Sequence, residues 1–133
     1  MPLTYRLSPD EGILFVRADG VITQPERLDA MRAWMSDPAF GRCLDTFCDF
    51  SAAESTPRLS DLRELVEVMG QSLPRTEPRR VAILTSKPIT FGVARVFGDL
   101  VQLDAVPIQV KVFFDRDVAW AWLRPHEPVR GPA

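Results

Sequence analysis

Hydroxyl side chains that could carry or bind a phosphoryl group lie just before a predicted helix. Ser51, Ser55 and Thr56 follow an apolar run that ends at Phe50, and Thr56-Pro57 can cap the helix that comes next. A helix start exposes backbone N–H donors, which suit a phosphoryl group with its charge of about −1.5 to −2. We prefer an ordinary cap and turn, because any helix start recruits Ser, Thr and Pro.

Carboxylates in the same region could act as a general acid and base. Asp45, Asp49 and Glu54 are close in the sequence, but sequence proximity does not bring them together, and no nucleophile or positive partner is specified. Solvated strand-end carboxylates are the preferred interpretation. Cys48 lies in an apolar run, which is typical of a reduced and packed thiol. An enzyme that uses Asp49, Glu54 or Cys48 is therefore the least favoured hypothesis, and we predict a protein without catalytic activity.

Metal ligands are scarce in this chain. The cysteines are Cys43 and Cys48, and His126, which is the one histidine, lies between two prolines. A zinc site needs more Cys, His or carboxylate ligands than these. We therefore predict neither a metal nor a cofactor, and we assign residues 125–133 to a flexible tail.

Composition narrows the classes of partner. The chain has 133 residues, 46% of them hydrophobic, which suits one domain that buries about two thirds of its unfolded surface. The formal charge of −2 is spread along the chain without a basic stripe, so we expect no nucleic-acid partner. No apolar run approaches the roughly 18 residues that span a bilayer, and the first residues do not resemble a targeting signal. We therefore expect no integral membrane segment and a cytoplasmic location.

Hydrophobic periodicity predicts the elements that position these residues. Alternation at 3–7 and 13–18, with turn residues between, predicts an antiparallel hairpin. Three further strands are predicted, at 44–50, 81–84 and 108–114. A helical pattern precedes each of them, and another follows the last. This alternation predicts an α/β fold: a single domain with a mixed, mostly parallel five-stranded sheet and about four helices. We expect the hairpin at one edge and the strand of Lys111 at the other.

Local signals mark the helix boundaries. Thr23 and Glu26 have the spacing of a capping box, which predicts that the first helix begins there. Asp37-Pro38 marks its end, because proline cannot continue a helix. Asp115 can cap the closing helix.

The third predicted helix carries aromatic residues and two glycines. Phe91, Arg95 and Phe97 could face a partner subunit or the pocket of an apolar ligand. Gly92 and Gly98 each cost about 1 kcal/mol relative to alanine in a helix, and close packing is the preferred explanation for both.

Ligands of open α/β sheets bind beyond the carboxyl ends of the strands. Three loops are expected there, at 51–56, 85–87 and 115–116, and they should converge on one rim. The regulatory or ligand-binding candidates are therefore Ser55, Thr56, Ser86, Lys87, Phe91, Arg95 and Phe97.

Three segments carry a resemblance to a known family: Arg80–Leu84, Gly92–Phe97, and Ala119–Leu123 after Val112-Phe113-Phe114. Together with the order of elements, they resemble the SpoIIAA-like (STAS) domains, and most of all the small stand-alone subfamily grouped with STAS/SEC14-type proteins. The resemblance covers residues 3–124. We accordingly assign residues 1–124 to one SpoIIAA-like domain.

The resemblance implies a module without catalysis, either a partner-binding switch, as in anti-sigma-factor antagonists, or a binder of small or apolar ligands. The antagonists carry a phosphorylatable serine in an Asp-Ser-Ser-Gly type motif after the third strand. The corresponding stretch here, Glu54-Ser55-Thr56-Pro57, lacks the glycine, so Ser55 and Thr56 carry over by position only. We predict a homodimeric binding or regulatory module. The alternative is a carrier or sensor of a small apolar ligand in a pocket near the third helix.

Overall fold

The computed structural model describes residues 2–125, and five strands within them form one sheet. Their order in space is their order along the chain: β1 (Leu3–Ser8), β2 (Ile13–Gly20), β3 (Asp45–Ala53), β4 (Arg79–Leu84) and β5 (Ile108–Phe113). β1 and β2 pair antiparallel, and all other neighbours pair parallel. The mixed, mostly parallel sheet is thereby confirmed, with the hairpin at one edge and the strand of Lys111 at the other.

Within these described residues, four α-helices accompany the sheet: α1 (Gln24–Ser36), α2 (Leu59–Ser72), α3 (Pro88–Leu103) and α4 (Arg116–Leu123). A 3-10 helix at Pro38–Arg42 follows α1. Each of α1, α2 and α3 connects two neighbouring parallel strands, and the three connections advance across the sheet in the same direction. Because such connections are right-handed, all three helices lie on one face. α4 covers part of the opposite face.

Alternation along the strands separates two apolar cores. On one face Val16, Cys48 and Ile83 pack against α1, α2 and α3. On the other face Phe47 and Ala82 pack against α4. β4 is therefore covered on both sides, as its unbroken apolar run predicts.

The predicted caps of two helices are confirmed. Thr23 Oγ1 accepts a hydrogen bond from Glu26 N at 3.3 Å, and Glu26 Oε1 accepts one from Thr23 N at 3.0 Å. Asp115 Oδ1 accepts from Val118 N at 3.0 Å, so α4 begins directly after it. These bonds satisfy N–H groups that have no partner within the helix.

The third strand is longer than the sequence predicts. β3 continues to Ala53 because Ala52 and Ala53 pair with the last two residues of β2, beyond a bulge in β3. Ser51 is therefore a strand residue, and its assignment to a loop is wrong.

The start of α2 also differs from the prediction. Thr56 does not cap this helix, which begins at Leu59 after the N-cap residue Arg58. Pro57 holds the residue before it in an extended conformation. Asp61 takes over the capping role, because its Oδ2 accepts a hydrogen bond from Arg58 N at 2.9 Å.

Candidate functional site

An apolar cavity of about 180 Å³ lies between the sheet and the three helices α1, α2 and α3. It extends from the amino end of β4 to the loop after β3. Its walls consist almost entirely of aliphatic, thioether and aromatic side chains from every one of these elements, among them Leu14, Val16, Met31, Phe50, Leu62, Leu65, Met69, Ile83, Ala94 and Phe97. Protein interiors seldom leave a space of this size unfilled, so the cavity is a candidate binding site.

The arrangement of the helices explains the cavity. α1 lies close to β1, and α3 lies close to β5, at the two edges of the sheet. α2 lies against α3 and α1, and among the described residues it makes no comparably close backbone approach to a strand. The middle of the sheet is therefore covered by side chains that reach across a gap.

The inward face of α3 forms one wall of this cavity. Thr90, Val93, Ala94 and Phe97 recur at helical spacing and all line the cavity. Phe97 is thus directed to the sheet. α3 lies close to β5 at Gly98, where an added methyl group would be in van der Waals contact with Val110 Cβ, at 3.5 Å.

Two arginines line the otherwise apolar cavity. Arg27, on α1, donates from Nη2 to the carbonyl oxygen of Ile22 at 3.0 Å and from Nη1 to Gln24 Oε1 at 3.3 Å. Burial lowers the pKa of its guanidinium, while the nearby Asp61 and Glu26 act in the opposite direction.

Arg79, the first residue of β4, is the second arginine in the lining and is only 5% exposed. Its Nη1 donates to the carbonyl oxygen of Cys43 at 2.8 Å, and its guanidinium carbon lies 3.9 Å from the centre of the Phe40 ring. Sequence reasoning missed this residue by treating it as the polar flank of a strand. Strand alternation could have predicted its burial, because Arg79 shares a face of the strand with Val81 and Ile83.

A polar groove of about 250 Å³ lies on the other face of the sheet, beside the amino end of α4. Asp49 faces this groove, and its Oδ1 accepts hydrogen bonds from both N and Oγ of Ser51. Its Oδ2 accepts one from Arg116 Nη2. Burial acts to raise the pKa of Asp49, but the bonds from Ser51 and Arg116 outweigh it and hold that pKa below its ordinary value.

The other groups considered for acid–base or nucleophilic chemistry do not converge. Asp45 pairs with Arg124 at 3.0 Å, and its position on β3 is about 13 Å along the strand from Asp49. Cys48 points to the opposite face, into the apolar core. Burial, with a contribution from Asp49, raises the pKa of its thiol to about 12. Both cysteines are free and buried, which confirms the predicted reduced and packed thiol.

Comparison with solved structures identifies the architecture. An uncharacterized protein of the DUF3478 family with a SpoIIAA-like fold, from Shewanella loihica PV-4, aligns with 91% of this chain and 91% of its own, at a TM-score of 0.58 and 21% sequence identity. This chain has the SpoIIAA-like fold. No protein-family model and no curated protein matches it. The fold predicted from the resemblance is thus confirmed.

The serine that the SpoIIAA-like resemblance singled out is held by the backbone. Ser55 Oγ accepts a hydrogen bond from Ile22 N at 2.8 Å and donates one to Ile22 O at 3.1 Å. It therefore fastens the loop after β3 to the loop after β2. Ser55 and Thr56 both line the apolar cavity at the end that lies near the carboxyl end of β3.

Ser86 and Lys87 donate hydrogen bonds to the end of β3. Ser86 Oγ donates to the carbonyl oxygen of Ser51 at 3.0 Å, and Lys87 Nζ donates to that of Ala53. Both side chains thus donate to backbone carbonyl groups in the part of β3 that extends beyond its pairing with β4. Neither side chain lines the cavity.

The two remaining candidates on α3 point elsewhere. Phe91 stacks on Phe114 with 4.5 Å between ring centres, and Arg95 is exposed on the outer face of the helix. Phe91, Arg95 and Phe97 therefore do not form one surface. Gly92 is exposed and nothing lies within 4 Å of a methyl group placed on it, so close packing is wrong for Gly92, whereas a methyl group on Gly98 would already touch Val110.

Within residues 2–125 no three Cys, His, Asp or Glu side chains are grouped so that they could hold a metal ion. His126 and the predicted tail from 126 onward lie outside the described residues. None of the helices in the described part of the chain is both long and apolar enough to cross a bilayer.

Proposed function

We propose that this protein is a non-catalytic, cytoplasmic binding module that holds a small apolar ligand in the cavity between the sheet and α1, α2 and α3. The observation that carries the proposal is the cavity of about 180 Å³ with its nearly continuous apolar lining. Apolar pockets with a few polar groups are the usual form of small-molecule sites.

The size of the cavity indicates the size of the ligand. An engineered apolar cavity of about 150 Å³ in another protein binds benzene. The space of about 180 Å³ therefore suits a single substituted ring or a short branched chain. Transfer of such a molecule from water is favourable by about 25 cal/mol for each Å² of apolar surface removed.

The proposal of binding without turnover rests on the chemistry of the lining. The one thiol in the cavity wall, that of Cys48, has a raised pKa of about 12 and is a poor nucleophile at neutral pH. Asp49, whose pKa is lowered, lies on the opposite face of the sheet, outside the cavity.

Native mass spectrometry of protein purified gently from its own host tests the proposal, because a retained ligand adds its mass to the folded chain. Thermal unfolding with and without saturating toluene provides a second measurement. We expect toluene to raise the melting temperature, since a ligand that binds only the folded state stabilises it. Absence of both a retained mass and a toluene effect contradicts the proposal.

A second candidate function is self-association through the outer face of α3. Ile89, Val96 and Leu103 are exposed to 67, 40 and 79%, and they recur every seven residues along this face. Arg95 and Asp99 lie beside them, both exposed. When two copies pack with antiparallel α3 helices about a twofold axis near Val96, apolar residues meet apolar ones and Arg95 meets Asp99. This charge complementarity favours a second copy of the chain as the partner.

Sedimentation velocity of the full chain tests this association. We expect a dimer that Val96→Glu converts to a monomer, because the charge lies at the centre of the contact. Val118→Glu is the matched control, since Val118 is 54% exposed on α4, which covers the opposite face of the sheet. A wild-type monomer, or a Val96→Glu dimer, contradicts self-association through α3.

A further inference from the structure

Arg79 stands out among the residues that line the apolar cavity. It belongs to the inward face of β4, where its neighbours on the sheet are Val81, two residues along the strand, and Ile108, its partner on β5. Its side chain is 5% exposed. A cation is thus built into the wall of a cavity whose other surfaces are mostly hydrocarbon.

Only some of the N–H donors of this guanidinium have a hydrogen-bond acceptor in the protein. Nη1 donates to the carbonyl oxygens of Cys43 and Phe40, and Nη2 donates to that of Phe40 at 3.4 Å. The carboxylate of Glu77 lies 3.7 Å from Nη2 and is itself 44% exposed. Nε is buried and has no hydrogen-bond partner.

An unpaired donor on a buried cation is costly. Removal of a charged group from water is favourable only when hydrogen bonds and an opposite charge replace its hydration. A water molecule at Nε would need two or more further polar partners to be held there. Val81 and Ile108, the neighbouring lining residues, offer none from their side chains.

We propose that the ligand of the cavity is an apolar carboxylic acid, whose carboxylate accepts a hydrogen bond from Arg79 Nε while its hydrocarbon part fills the space under α2. This inference rests on the proposed function and specifies its ligand class. The carboxylate supplies both the missing acceptor and a negative charge. Hydrogen bonds between charged groups are stronger than neutral ones, so the acid binds more tightly than a hydrocarbon of the same size.

Arg79 is a better anchor for this group than Arg27, the other arginine in the lining. Arg27 already donates to Ile22 O and Gln24 Oε1, within its own helix start. An acid at Arg27 would have to displace these acceptors, whereas Arg79 Nε has no acceptor to displace.

Benzoate and toluene are the probes that test the inference, because they share a ring and differ in the carboxylate. In the wild-type protein we expect benzoate to bind about tenfold more tightly than toluene, as followed by NMR titration. The side-chain Nε–H resonance of Arg79, observed in protein labelled with 15N-arginine, should move downfield on addition of benzoate and stay in place with toluene.

Two conservative variants supply the controls. Arg79→Lys keeps the charge but removes the Nε donor, so the preference for benzoate should be lost while toluene still binds. Arg80→Lys is the matched control: Arg80 Nε is also buried without a partner, but this residue lies on the other face of the sheet, against Trp122. It should keep the preference for benzoate.

The outcomes separate the inference from the proposed function. If toluene binds as well as benzoate, or if Arg79→Lys keeps the preference, the role of Arg79 is overturned and an apolar-ligand module remains. The same holds if the Arg79 Nε–H resonance of the wild-type protein does not respond to benzoate. If neither probe binds and the purified protein retains no ligand mass, both proposals are overturned.

Discussion

Arg116 Nη2 lies 2.6 Å from Asp49 Oδ2 and joins the first residue of α4 to the middle of β3. The carboxylate is 19% exposed, and Ser51 binds its other oxygen. The helix that covers the second core is therefore fastened at its amino end by a charge-assisted hydrogen bond.

Asp49→Asn should make the stability of the protein less sensitive to acid. The folded-state pKa of Asp49 lies below its ordinary value of 3.8, so its ionised form stabilises the fold above about pH 4. This contribution is lost as the pH falls through the lowered pKa. At pH 7 we expect the variant to lose about 1 kcal/mol of unfolding free energy, and this difference from the wild type should shrink as the pH falls through the lowered pKa.

Urea unfolding across this pH range measures the difference. Asp29→Asn is the control, because Asp29 is exposed on α1. A loss that is the same at pH 2 and pH 7 would show that Asp49 acts through packing and not through its charge.

Ala94→Leu should block the cavity without unfolding the protein. Ala94 is 7% exposed on α3 and lines the cavity, so a larger side chain there occupies the space of a ligand. We expect the shift in melting temperature caused by toluene to disappear, while stability without toluene stays within about 1.5 kcal/mol of the wild type.

Ala33→Leu is the matched control for this substitution, because Ala33 is exposed on α1 and does not line the cavity. It should keep the full effect of toluene. A toluene shift that survives Ala94→Leu would place the ligand outside this cavity.

Ser55→Ala should loosen the junction of two loops. It removes both hydrogen bonds to Ile22, whose side chain is buried and whose N–H and C=O then lose these partners. We expect a loss of about 2 kcal/mol in unfolding free energy, whereas Ser60→Ala, at an exposed position of α2, should change it by less than about 0.5 kcal/mol. Equal effects of the two substitutions in chemical denaturation would exclude a structural role for the Ser55 hydroxyl.

Leucine substitutions should distinguish the two glycines of α3. Gly92→Leu is expected to raise the unfolding free energy by up to about 1 kcal/mol, because nothing lies within 4 Å of the added Cβ and leucine favours the helix. Gly98→Leu should lower it by about 2 kcal/mol, since the added side chain meets Val110. Thermal and urea unfolding of both variants check this order, and a reversed order would mean that α3 does not pack on β5 through Gly98.

The two thiols should be protected in the folded protein. Burial raises the pKa of both Cys43 and Cys48, and the accessible surface of Cys43 is zero. At pH 8 we therefore expect negligible reaction with an aromatic disulfide reagent in buffer and reaction of both thiols in denaturant. Rapid modification of one thiol in buffer would point to local opening of the sheet.

Local rules predicted most of the fold. The capping box of Thr23, the cap of Asp115 and the apolar run of β4 each depend on residues a few positions apart, which a sequence displays directly. The end of β3 depends instead on Ala53 pairing with Gly20, a partner distant in the chain, so Ser51 was misplaced. Phe113 shows the same limit: strand alternation groups it with Gln109 and Lys111, which are exposed, whereas α4 buries it.

The candidate site was predictable only in part. Phe97 was recognised because its helical spacing and size suggest a pocket, and it does line the cavity. Arg79 was overlooked, since a charged residue at the start of a strand usually faces water. Its position becomes clear only when Phe40 of the 3-10 helix and Cys43, directly after that helix, are seen as its partners, and no local pattern encodes that contact.

The position of α4 has a consequence for synthesis. This helix follows the five described strands, yet it covers Phe47, Ala82 and Phe113, which leave the ribosome before it. At a translation rate of about 5–20 residues per second, the apolar face around Phe47 stays uncovered for several seconds before α4 is synthesised. A nascent chain with β1 to β5 in place thus presents a ready surface for a chaperone, and a pause in translation before Arg116 prolongs the exposure.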